Sequence, residues 1–190
     1  MPRRVVLTKA GSPDTIAIQE MEMPSPGEGE IRIEVAFAGI NFADLLMRLG
    51  LYNPRPDYPF TPGYEMSGVV DAVGKGVEGF SIGQRVVAAM PNGGQSSHTV
   101  VAANRALVLP EEVSLETAAS IPVTYLTAHH MLHYLGHMKK GDSVLIHGGA
   151  GGVGTAALQL CQWAGVDKVW ATASGHKAST IQKFGGVAID

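Results

Sequence analysis

Residues 149–154 read Gly149-Ala150-Gly151-Gly152-Val153-Gly154, a Gly-x-Gly-x-x-Gly spacing. The run follows an apolar segment, Ser143-Val144-Leu145-Ile146-His147, and opens a stretch from Gly151 to Ala164 that suits a helix. A strand before and a helix after are the context that a dinucleotide-binding turn requires. Each glycine then has a task. Gly149 permits the tight turn, Gly151 lets the backbone approach a pyrophosphate, and Gly154 lets the helix pack close to the strand. Together with Ala150, Gly152 and Val153 they present the first amides of the helix, and its partial positive charge, to phosphate oxygens. The plainer alternative is a glycine-rich turn with no ligand.

The next strand end bears on the kind of dinucleotide. A site for a free ribose 2′-hydroxyl usually carries Asp or Glu about 20 residues beyond the glycines. Here that region reads Ala171-Thr172-Ala173-Ser174-Gly175-His176-Lys177, without an acid. Ser174 would donate to a 2′-phosphate and Lys177 would neutralise it, with His176 a weaker candidate, so the pattern favours NADP(H). Alternatively Ser174 caps the next helix and Lys177 is merely solvated. His129, His130, His133 and His137 include pairs four residues apart, but no His-Glu-x-x-His pattern is present. They are read as one helix face, with no metal assigned.

The elements that must position these groups follow from periodicity. Glu30-Ile31-Arg32-Ile33-Glu34-Val35 alternates polar and apolar, the period of a half-buried strand. Val5-Val6-Leu7, Ile16-Ala17-Ile18, Ser67 to Val73, Arg85 to Ala89 and His98 to Val101 are further strands between Gly/Pro turns, suggesting a small β-barrel. Phe42 to Leu49 reads as a helix, and Tyr52-Asn53-Pro54-Arg55-Pro56-Asp57-Tyr58-Pro59 as a loop, because proline removes amide donors. The texture changes near Pro110. Ser114 caps a short helix through Ser120, and Pro122 starts a longer one towards Gly136. Strands at 143–147, 168–172 and 187–189 then alternate with helices at 151–164 and 176–184, the β-α-β-α-β signature of a parallel doubly wound sheet.

Composition sets outer limits. The 190 residues carry a net charge of −3, so no basic excess attracts nucleic acid. The single cysteine, Cys161, rules out an intrachain disulfide and a Cys-rich zinc site. Ser143 to Val166 lacks Asp, Glu, Lys and Arg and is long enough to span a bilayer. Its glycines, His147, Gln159 and Gln162 fit a buried strand, a turn and a core helix better, so no stable membrane insertion and a cytoplasmic location are expected.

Beyond the glycine turn, an ordered set of motifs runs along the chain: Asn41-Phe42-Ala43-Asp44, Pro62-Gly63-Tyr64-Glu65-Met66-Ser67-Gly68-Val69-Val70, Gly83-Gln84-Arg85-Val86, Ala118-Ala119-Ser120-Ile121-Pro122 and Thr127-Ala128. The set resembles the medium-chain dehydrogenase/reductase superfamily, and within it the zinc-free quinone oxidoreductase branch. The resemblance implies a GroES-like β-barrel catalytic domain at residues 1–121. The first half of a Rossmann NADP-binding domain would follow at 122–190, an α/β architecture joined to a β one. By resemblance Asn41, Asp44 and Tyr52 face the substrate and Thr127 lies near the nicotinamide. Each has a structural alternative: Asn41 as an N-cap with Asp44 in the first helical turn, and Tyr52 packed beside the prolines. Glu65 is read as a buried acid paired with an arginine.

Zinc enzymes of the superfamily hold Cys and His where Asn41 and Tyr64 stand, and neither replacement makes a good zinc ligand. The expected activity is hydride transfer from NADPH to a small apolar quinone or α,β-unsaturated carbonyl. An NADPH-binding regulatory protein with little catalysis, or an inactive shortened form, are the alternatives. Members of the superfamily commonly continue well beyond the length seen here. Asp190 falls at the start of a third strand, so a fragment, or strands supplied by a partner chain, is expected, with a homodimer for the complete protein.

Overall fold

A computed structural model describes residues 1–53 and 55–190; Pro54, within the expected proline-rich loop, lies outside the described residues. The chain forms two compact units, Met1–Val123 and Thr124–Asp190.

Unit 1 is built on antiparallel strands. β1 (Arg3–Leu7) pairs with β2 (Ile16–Glu20) as a hairpin. β3 (Glu30–Ala38), β4 (Glu65–Val73), β5 (Arg85–Ala89), β6 (His98–Ala102) and β7 (Ala106–Val108) form a five-stranded sheet in the order β6-β3-β4-β5-β7. The hairpin meets this system through isolated bridges, Arg4 to Ser96 and Leu7 to Phe60. The alternation expected of β3 is realised: Ile31 and Ile33 are wholly buried, and they pack with Met66, Val70 and Val86 in the core. Two register shifts, at Arg32/Ile33 and Val35/Phe37, mark bulges, which bend a strand and increase its twist. Helix α1 (Phe42–Arg48) leaves β3, and the short α2 (Leu115–Ala118) is capped by Ser114, whose Oγ accepts the Thr117 N–H at 3.1 Å. The sequence reading had no counterpart to β7, a strand too short to show a period.

α3 (Pro122–His129) begins at the proline expected to start it. Instead of continuing as an α-helix it widens into a π-helical segment, His130–Leu135, where Gly136 N–H reaches Met131 O at 2.8 Å. In unit 2, β8 (Ser143–Ile146), α4 (Gly152–Ala164), β9 (Lys168–Thr172), α5 (Ala178–Lys183) and β10 (Val187–Ile189) give a parallel sheet in the order β10-β9-β8. This is the first half of a doubly wound sheet, with a helix in each crossover. Ala156, Ala157, Leu158 and Cys161 of α4 are buried against Ile146, Ala171 and Ile181. Among the described residues β8 pairs only with β9, so it is an edge strand there, and its Leu145 is 54% exposed. No helix among the described residues is long and apolar enough to cross a membrane.

Candidate functional site

In unit 2 the strand-to-helix turn is formed as its spacing requires, with one reassignment. The left-handed residue of the turn is Gly148, at φ 69°, and not Gly149. Gly149 is needed for space: a Cβ there would overlap that of Ala171 on the neighbouring strand. Gly154 is the closest approach of helix to turn, since an added Cβ would lie 2.6 Å from Gly149 Cα. The turn is fixed to β9 by Gly149 N–H, which donates to Thr172 O at 2.9 Å, and by Gly148 N–H, which donates to Thr172 Oγ1 at 3.1 Å.

A cavity of about 560 Å³ opens beside this turn, a volume usual for a small-molecule site. Gly151, Gly152, Val153 and Gly154 line it with His147 and Gly148. The first-turn amides of a helix have no carbonyl one turn back to bond, and here they belong to residues that line the cavity. Ala150 instead packs into the core. Of α3, Ala128 lines the cavity, while Thr127 stands exposed beside it. His147 was not singled out in the sequence, yet it stands on the cavity wall with Nδ1 3.4 Å from Thr172 Oγ1. Its position directly before the glycines, at a strand's carboxyl end, was the available signal.

Ser174 and Lys177 are both exposed at the carboxyl end of β9. Ser174 occupies the N-cap position of a 3₁₀ turn, Gly175–Lys177, but its side chain makes no capping bond. One feature differs from expectation. The segment 171–177 contains no acid, but the fold brings one in from the residue that follows β10: a Cβ on Gly175 would lie 3.2 Å from Asp190 Oδ2.

In unit 1 the polar residues around α1 form one connected set. Asn41 N–H donates to Asp44 Oδ2 at 2.8 Å, and Gly63 N–H donates to Asp44 Oδ1 at 3.1 Å. Asp44 is thus a first-turn acid closing its own helix start, as the structural alternative expected. Only 5% of it is exposed, and burial raises its carboxyl above the ordinary range against the lowering effect of those two amides. The Asn41 side chain reaches elsewhere: Nδ2 donates to Glu65 Oε1 at 2.7 Å. Glu65 Oε2 accepts the Val123 N–H at 2.8 Å.

The expected arginine partner of Glu65 is therefore replaced by two neutral N–H donors. Burial, first, and the nearby Asp44 push the Glu65 carboxyl up, against the lowering pull of Val123 and Asn41. Tyr52 packs edge-on to Tyr64, with centroids 6.4 Å apart at 72°, over Leu7, Met47 and Phe60. The Tyr64 hydroxyl is pushed up to about 12 by burial, then by Tyr52 and Asp44. Ile40 and Phe42 flank Asn41 and are 74% and 73% exposed, an apolar rim on a polar interior.

Of the histidines on the α3 face, His129 lies over His133 with centroids 4.6 Å apart, and His130 stacks on Tyr134. No group of three or more His, Cys, Asp or Glu side chains suited to a metal ion occurs among the described residues.

Residues 27–114 match the alcohol dehydrogenase GroES-like domain family. The chain is 42% identical over 184 residues to the synaptic vesicle membrane protein VAT-1 homolog of Danio rerio, covering 96% of this chain and 38% of that protein. Among solved structures it is similar to the human synaptic vesicle membrane protein VAT-1 homolog-like protein, with a TM-score of 0.95 and 34% identity over 100% of this chain and 62% of the other. It is also similar to the Escherichia coli quinone oxidoreductase complexed with NADPH, with a TM-score of 0.90 and 34% identity over 99% of this chain and 58% of the other. The chain spans less than two thirds of the length of each of these relatives.

Proposed function

Because the chain belongs to the medium-chain dehydrogenase/reductase superfamily, we propose that it is part of an NADPH-dependent, zinc-independent oxidoreductase that reduces quinones or α,β-unsaturated carbonyls. The observation that carries this reading is the glycine turn, which with the start of α4 lines a cavity of about 560 Å³. A pyrophosphate fits there, bound by the first amides of α4 and by the helix dipole. Ser174 offers an uncommitted hydroxyl to a 2′-phosphate, and Lys177 offers a charge. When bound, the reduced nicotinamide supplies the hydride.

The remaining tasks fall to side chains. Tyr52 donates a hydrogen bond to the substrate oxygen, while Ile40 and Phe42 shelter an apolar ring or chain from water. Asn41 and Asp44 hold the start of α1 and the Gly63 loop in place beneath it, so that the reactants stay oriented. The donor set supports the zinc-free part of the reading: an amide and a phenol stand where thiolate and imidazole would be needed. The same reading assigns the protein to the cytoplasm, as a homodimer, with a small apolar carbonyl compound as substrate.

The decisive assay follows oxidation of NADPH, against NADH, by the protein containing this chain, with a naphthoquinone and a linear enone as acceptors. Turnover faster with NADPH is expected. No NADPH binding and no turnover would sink the proposal. A second reading, an NADPH-binding regulatory protein with little catalysis, is favoured by one observation: the Asn41 amide nitrogen and both oxygens of Asp44 already bond protein partners. NADPH binding without turnover across both acceptor classes selects it.

A further inference from the structure

Unit 1 holds a cavity of about 320 Å³ to which none of the residues assigned above contributes. Four parts of the chain wall it: β1 through Arg4, the segment after β2 through Met21 and Pro24, the approach to β4 through Phe60 and Thr61, and the β5–β6 loop with β6. Its polar groups divide into those already satisfied and those that are not. Ser96 Oγ lies 2.8 Å from Gly93 O and 3.0 Å from His98 O, so its proton is used. His98 contacts Ser97 Oγ through Nδ1, and its Nε2 is 3.7 Å from Asp71 Oδ2. Arg32 holds that same Asp71 at 2.9 Å and donates to Pro24 O at 2.9 Å, which neutralises the acid and fixes one wall.

Thr61 Oγ1, by contrast, is shielded from solvent without a hydrogen-bond partner. A buried hydroxyl left unpaired is costly, but without accessible surface it offers no bond to a molecule in the cavity. Arg4 makes no ion pair among the described residues, and its cross-strand neighbour is Gln19, not an acid. No Asp or Glu lines the cavity. The guanidinium of the exposed Arg4 and the amide of the half-buried Asn92 are the donors on this wall that suit acceptor oxygens. The surfaces of Met21, Pro24 and Phe60 call for an apolar portion on the same ligand.

We propose that this cavity binds a small organic carboxylate, its oxygens held by Arg4 and Asn92 and its apolar part against Met21, Pro24 and Phe60. The cavity stands at the small end of ligand sites, so the occupant is short-chained. The site is independent of the reductase reading, because it involves neither NADPH nor the acceptor.

The test titrates the intact chain with sodium hexanoate, 1-hexanol and sodium phosphate in separate arms, following amide resonances of Thr61, Asn92 and Ser96. Saturable shifts at these three with hexanoate, and none with hexanol or phosphate, are expected. Arg4→Gln should weaken hexanoate binding by roughly tenfold or more and flatten its salt dependence. Thr61→Val should leave hexanoate binding unchanged while melting at or above the parent's temperature, because an unpaired hydroxyl is removed. Absence of a saturable shift with hexanoate, equal affinity for hexanol, a response to phosphate alone, or indifference to Arg4→Gln overturns the proposal.

Discussion

At the scale of single residues, Glu65 and Asp44 have the least ordinary environments in unit 1: two buried carboxyls, each bonded to neutral N–H groups and neither paired with a cation. Glu65 is held above its ordinary value of 4.5 in the folded chain. The folded state therefore keeps its proton to higher pH than the unfolded state does, and this group's contribution is most favourable below 4.5 and declines as pH rises through the folded value. Glu65→Gln does not titrate, and its amide opposes one of two N–H donors, so it should cost about 1–3 kcal/mol. Its deficit against the parent should narrow as pH rises above 4.5, read by denaturant melts across pH; parallel stability curves would count against this account. Asp190 supplies a second test. Its carboxylate stands beside Gly175, where a 2′-phosphate is proposed, so Asp190→Asn should raise the NADPH-over-NADH preference several-fold and Lys177→Ala should lower it, both more at low salt. An unchanged cofactor ratio in both variants would remove these residues from the site.

At the scale of elements, the turn from β8 into α4 was legible because its physics is local. Glycine spacing, a strand before and a helix after are contiguous in the chain, and backbone crowding at Gly149 and Gly154 follows from them. Gly154→Ala should force helix and turn apart at a cost of about 1–3 kcal/mol and weaken NADPH binding at least tenfold, measured by melting and by fluorescence titration. Near-parental values in both would mean that the close approach is dispensable. What sequence could not supply is long-range. The bond from Asn41 to Glu65 joins residues 24 apart, brought together only when α1 settles against β4. Asp190 meets Gly175 through the pairing of β10 with β9, so an acid-free segment in sequence is not acid-free in space. The π-helical turn after His129 was hidden too, because i and i+4 histidines suit an α-helix and a wider one alike.

At the scale of the whole molecule, the two units differ in how they finish their sheets. In unit 1 bulged β3 and the β1–β2 hairpin wrap the core. In unit 2, β8 leaves one edge unpaired with Leu145 exposed upon it, a template for another strand. This chain by itself should therefore self-associate as concentration rises, and Leu145→Lys should suppress that, checked by sedimentation velocity. Equal association of both forms would locate the contact elsewhere. Cys161 then acquires a use unrelated to chemistry at either site. It is the only cysteine, it is wholly buried in α4, and burial lifts its thiol to about 11. A thiol reagent can modify it only during moments when α4 separates from its sheet. The labelling rate is thus a clock built into the chain, counting the openings of the nucleotide half, and saturating NADPH should slow it in proportion to the stabilisation it provides.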